Sequence, residues 1–73
     1  MIEERIGDSL VRMMYMKKQT GWLVVGLIID QDPKSLTYGM GNINFEGFSA
    51  SKEEAAEKVR DQIRRFLATQ REL

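Results

Sequence analysis

An α+β fold is predicted for this chain: a three-stranded antiparallel β-meander followed by one C-terminal amphipathic helix packed across a face of the sheet. Three observations predict it. Trp22 to Ile29 is apolar at every position, as in a strand covered on both faces, whereas a strand with one wet face would alternate. Residues 52–69 carry apolar side chains at three- and four-residue spacing, the period of a helix with one buried stripe. Turn residues separate the intervening segments at places where antiparallel neighbours need joining.

The first strand is read from Leu10 to Lys18, with Gln19-Thr20-Gly21 as a tight turn into Trp22. Strands of similar length on either side of such turns favour a meander. Ile2, Ile6, Leu10 and Met13 also follow helical spacing, and Met, Leu and Arg are good helix formers. Residues before Asp8 are therefore expected as a short helix or an arm.

In the second strand, Leu23, Val25, Leu27 and Ile29 share one face, and Trp22, Val24 and Ile28 the other, with Gly26 between them. Parity alone does not say which face meets the helix. Gln31-Asp32-Pro33-Lys34-Ser35 supplies the next turn, Pro33 fixing φ and Asp32 able to bond the backbone. Leu36 to Phe48 is the third strand. Its apolar parity switches from Leu36, Tyr38 and Met40 to Ile43 and Phe45, which predicts a β-bulge at Gly41.

The helix is expected from about Lys52 to Thr69. Ser51-Lys52-Glu53-Glu54 has the capping-box pattern, in which a serine hydroxyl accepts from the amide three residues on. Ala55, Ala56, Val59, Ile63, Phe66 and Leu67 form the stripe. Acids gather in the first turns and arginines toward the end, as the helix dipole prefers. Glu54 with Lys58 and Asp61 with Arg65 are spaced to pair. Val59 and Ile63 are expected on the sheet, Arg60 and Arg64 in solvent.

Seventy-three residues make a single small domain, 1–73, in the size range where one core is barely sufficient. The chain has no cysteine and no histidine, so neither disulfides nor thiolate metal sites support it. Good packing or oligomerisation must do so. Eleven basic residues balance eleven acidic ones, which removes the global field of a phosphate-gripping protein. The apolar run is far shorter than the ~20 residues of a membrane-spanning helix. Met-Ile-Glu-Glu-Arg lacks the basic start of a signal peptide, and a cytoplasmic location is expected.

No catalytic residue is assigned, and a non-enzymatic protein is expected. Without histidine, acid–base work would fall to a carboxylate raised by burial; Asp30, Asp32 and Glu46 lie nearest strand ends, but the aspartates read as turn residues. No metal or other cofactor is expected. Counted as a calcium loop from Asp30, the fifth, sixth and twelfth positions are Lys34, Ser35 and Gly41, the wrong residue types. Gly39-Met40-Gly41 lacks the following lysine and hydroxyl of a phosphate loop.

A strand needing two covers, followed by one helix, leaves one cover to be supplied by a second copy or a partner. The leading expectation is a small regulatory interaction module, homodimeric, acting on a protein partner. Its interface candidates are Met13, Tyr15, Trp22, Val24 and Ile28, chosen for adaptable methionine and for the aromatic anchors that interfaces favour. The alternative from another class is nucleic-acid binding through Lys17, Lys18, Arg60, Arg64 and Arg65.

Gly47 to Ala56, a strand end, a glycine turn, Ser-Lys and an alanine-bearing helix, resembles the C-terminal half of double-stranded RNA-binding domains. Ser51, Lys52 and Ala55 match that pattern. Glu53 and Ala56 stand where the family carries basic residues, and carboxylates repel phosphate, so the resemblance implies the packing frame without the RNA grip. Glu53-Glu54-Ala55 is also similar to the helix start of HicB-type antitoxins, where a small antiparallel sheet precedes the helix. The preceding glycine-containing segment is shorter here than in that family.

Overall fold

The computed structural model describes residues 2–7, 9–29, 34 and 43–71. The described residues form four strands and one helix: β1 (Ile2–Ile6), β2 (Ser9–Lys18), β3 (Gly21–Ile28), β4 (Asn44–Ser49) and α1 (Lys52–Arg71). The strands form one antiparallel sheet in chain order. This is the α+β meander with a C-terminal helix, with one strand more than the three predicted.

The extra strand is β1, where a short helix or arm was expected. Ile2 and Ile6 are four residues apart, a spacing that suits both the helical period of 3.6 and the strand period of 2. The tie is broken at Gly7, whose φ of +61° is readily adopted only by glycine. It turns the chain tightly, so that Ile6 lies opposite Ser9 and Ile2 opposite Met13.

The second hairpin forms where it was predicted: Lys18 faces Gly21 and Met14 faces Val25 across the Gln19-Thr20 turn. Of the predicted third strand, the described part is β4, in which Phe45 pairs with Gly26 and Gly47 with Val24. The Gly41 bulge, Leu36 to Met40 and the Gln31–Ser35 turn (Lys34 apart) lie outside the described residues.

The helix starts as its sequence prescribes. The Ser51 hydroxyl accepts from the Glu54 amide at 3.2 Å, and the Ser51 carbonyl accepts from Ala55 at 3.0 Å. Asp61 and Arg65 pair at 2.9 Å. Lys58, expected beside Glu54, donates to the Phe48 carbonyl at 2.9 Å.

The helix lies across β3 and β4. Ala55, Ala56, Val59, Ile63 and Leu67 bury their side chains against Val11, Met13, Val24 and Ile28 to form the core. Two glycines set how closely it approaches. A Cβ on Gly26 would lie 2.6 Å from Val59 Cγ1, and one on Gly47 2.6 Å from the Ala55 carbonyl oxygen. Phe45 and Phe66 meet at the rim with ring centroids 5.6 Å apart.

Arg60 corrects the expectation that it would be wet. Its guanidinium clamps the Glu4 carboxylate through two hydrogen bonds of 3.0 and 3.1 Å, with both side chains only about a quarter exposed. The cause is β1: as a strand it carries Glu4 on the helix side of the sheet. Arg64 remains exposed. Among the described residues, no helix is long and apolar enough to cross a membrane.

Candidate interaction surface

The helix covers one face of the sheet, and the residues of opposite parity make the other. On β3 these are Leu23, Val25 and Leu27, followed by Ile29; on β2 they are Leu10, Met14 and Met16. Phe48 adds the β4 border, opposite Leu23. Most of these side chains are half-buried by their neighbours, while Met16 and Phe48 are 36% and 45% exposed. No described residue packs over them. The outcome is a contiguous apolar face on which polar side chains stand toward the two edges.

One charge stands within that face. Arg12 lies between Leu27 on β3 and Glu3 on β1, and its Nη2 donates to Glu3 at 3.0 Å. Its Nε is buried with no hydrogen-bond partner among the described residues. The remaining border is mixed in sign: Glu3 and Arg5 on β1, Glu46 on β4 and Lys18 at the hairpin end.

The five predicted interface residues fall on the opposite side. Met13, Val24 and Ile28 are wholly buried beneath the helix. Tyr15 and Trp22 are half-buried at the core margin, where the Lys52 ammonium sits 4.9 Å from the Tyr15 ring and 5.4 Å from that of Trp22. These five are therefore core and core-edge residues, and the sheet face that no described residue covers carries the other parity. Hydrophobicity does not distinguish the two parities of β3. Gly26 does, because the helix can approach closely only over the face that lacks a side chain there.

The basic alternative set is dispersed. Arg60 is committed to Glu4 and, at 3.3 Å, to Glu57. Arg64 pairs with Glu57 at 2.8 Å and Arg65 with Asp61 at 2.9 Å. Hydrogen bonds from Arg64 and then Arg60 hold the Glu57 carboxyl below its ordinary pKa, and the Glu4 carboxylate raises the pKa of Arg60 above its usual value. Lys17 and Lys18 project to opposite sides of the sheet, Lys17 lying 5.3 Å from the Trp22 ring. The structure brings the three helix arginines to carboxylates and forms no basic patch from the five.

Asp30 and Asp32 lie outside the described residues. Glu46 is exposed on the edge strand, not in a cleft. An open pocket lined by Ile6, Gly7, Arg64, Leu67 and Ala68 contains one titratable side chain, Arg64, already paired. Among the described residues, no three His, Cys, Asp or Glu converge as metal ligands would. No protein-family model matches this chain, and no curated protein or solved structure matches it either.

Proposed function

We propose that this chain is a small, cytoplasmic, non-enzymatic regulatory module, a homodimer that acts by binding a protein partner through the open face of its sheet. The observation that carries this reading is the row Leu23, Val25 and Leu27, flanked by Leu10, Met14, Met16 and Phe48, with no cover among the described residues. Open apolar faces of this kind on small proteins mark interaction sites. The three strands that carry it, β2 to β4, at ~4.8 Å spacing with about eight residues each rising ~3.4 Å, make a face of about 400 Å². Met14 and Met16 give it the adaptability that methionine brings to binding surfaces. Its border carries both signs of charge, which suits a partner of mixed polarity. The absence of histidine and cysteine from the chain supports the non-enzymatic part of the reading, since the commonest acid–base and nucleophilic groups are missing.

The test compares substitutions on two surfaces. Val25→Asp should abolish binding of an apolar-surface dye and capture of a protein partner from host extract, with circular dichroism unchanged. Arg64→Glu, on the helix exterior, should alter neither. Capture should survive moderate salt, whereas phosphate contacts weaken steeply. Equal capture by wild type and Val25→Asp would overturn the proposal.

A further inference from the structure

The sheet has two outer edges, and they are treated differently. Along β4, helix side chains occupy the outward carbonyls: Gln62 Nε2 donates to Glu46 at 2.7 Å and Lys58 Nζ to Phe48 at 2.9 Å. A row of outward backbone groups is a template for another strand, and these two contacts fill part of it. At the other edge, no strand among the described residues lies beyond β1.

Ile29 N–H donates to the Leu10 carbonyl at 2.9 Å, so the backbone groups of Leu10 face β3. Arg5, opposite Leu10, is then in a non-hydrogen-bonded pair with it. Its own N–H and C=O are directed outward, as are those of Glu3 two residues before.

β1 reads Ile2-Glu3-Glu4-Arg5-Ile6. Laid antiparallel to itself about Glu4, it sets Glu3 against Arg5 and Ile2 against Ile6, each twice. We infer that β1 pairs with β1 of a second copy in this register, joining two sheets into one of eight strands about a two-fold axis at Glu4. Opposite charges directly across antiparallel strands attract, and the outward backbone groups of residues 3 and 5 exchange bonds. Arg5 already has an interaction inside its own chain, to which Glu3 of the second copy adds. The two Glu4 carboxylates would repel if bare, but each is clamped by its own Arg60 at 3.0 and 3.1 Å. Ile2, 50% exposed in one copy, is covered at the junction. The contact is isologous and therefore closes at two copies.

This arrangement has a functional consequence, which rests on the partner-binding reading above. The axis runs through the sheet, so both helices lie on one side and both open faces on the other. The partner then meets two apolar faces of about 400 Å² each on the same side of the dimer, flanking the paired Glu3 and Arg5 side chains of the junction and together matching the ~800 Å² per side of a standard interface.

Sedimentation equilibrium at high micromolar concentration tests the edge. Wild type should weigh twice the 8.4 kDa of one chain. Glu3→Arg makes both edge positions basic and Arg5→Glu makes both acidic. Each variant alone should sediment as a folded monomer, and their equimolar mixture should regain the dimer mass. Glu4→Cys supplies a geometric check in a chain without cysteine. Residues in a non-hydrogen-bonded antiparallel pair have Cα atoms ~4.5 Å apart, within disulfide reach. Oxidised glutathione should therefore crosslink Glu4→Cys into dimers and leave Glu46→Cys single. A monomeric wild type, a mixture that stays monomeric, or a dimer dissociated by Val25→Asp instead of by the edge variants would overturn the inference. Failure of the partner-binding reading looks different: Val25→Asp would keep both its dye binding and its partner.

Discussion

Val24 and Val25 are the same residue, adjacent on β3, yet Val24 is wholly buried under the helix and Val25 lies on the open face. Local propensity is the same for both, and so is the pairing, since each sits opposite a residue of β2 and one of β4. The difference is the helix. Gly26 and Gly47 leave a shallow trough on one side, into which Ala55, Val59 and Ile63 settle. The other side carries a side chain at every β3 position from Leu23 to Leu27 of its parity, and no trough. Small residues, not greater hydrophobicity, decided which face became the core.

The largest expected effects come from moving a charge between the two faces. Val24→Asp places an unpaired carboxylate in the core and should cost more than ~4 kcal/mol. For a domain this small that is most of its stability, so the thermal transition should vanish. Val25→Asp should change stability by about 1 kcal/mol or less. Similar melting temperatures for the two variants would erase the distinction between the faces.

Truncation should follow the same order on a smaller scale. Ile63→Ala empties a fully buried site and should destabilise by ~2–5 kcal/mol in urea titrations. Leu27→Ala, on the open face, should cost less than half as much. A smaller effect at Ile63 than at Leu27 would mean that the helix is not the main cover.

The trough itself can be filled. Gly47→Ala drives a methyl group against the Ala55 carbonyl, 2.6 Å away, and the helix backbone must move; overpacking of this sort costs ~1–3 kcal/mol. Gly26→Ala meets Val59 Cγ1, Ile63 Cδ1 and the Met13 sulfur, which are side-chain ends that can yield. It should therefore cost less than Gly47→Ala in the same titration.

The smallest effect concerns the helix exterior. Glu57 has a lowered pKa in the fold, caused by Arg64 first and Arg60 second. A lowered folded value contributes stability above the ordinary carboxylate pKa, and loses it as pH falls through about 4.3 and below. Glu57→Gln should remove a small part of the acid-induced loss and leave stability at low pH unchanged. An acid limb that is the same in both proteins would show that these exposed pairs contribute nothing.

Much of the fold was legible because it is written locally. Ser51 and Glu54 announce the helix start, the stripe from Ala55 to Leu67 its buried side, and Gln19-Thr20-Gly21 the central hairpin. What was not legible depends on partners distant in the chain. Ile2 and Ile6 satisfy two periods equally, and the Gly7 turn that decides between them leads to pairing with β2. Arg60 reads as a wet helix residue until Glu4, 56 positions away, arrives on the neighbouring strand. The apolar run on β3 is met by the helix on one face, and the cover expected on its other face belongs to the proposal above. The interface candidates Met13, Tyr15, Trp22, Val24 and Ile28 lie on the Gly26 face of the sheet, and which face meets the helix could not be read from parity.

The order of the strands also bears on how fast the chain reaches this state. Each strand lies beside the one that precedes it in the sequence, so β1, β2 and β3 come together through turns that close very small loops. Closure entropy rises with loop length, and sheets dominated by distant pairings fold slowly for that reason. Here the sheet can grow by successive hairpins, with the helix docking onto strands already in register. The Glu4–Arg60 clamp spans most of the chain and belongs to the last stage. Removing it should accelerate unfolding while leaving the refolding rate almost unchanged.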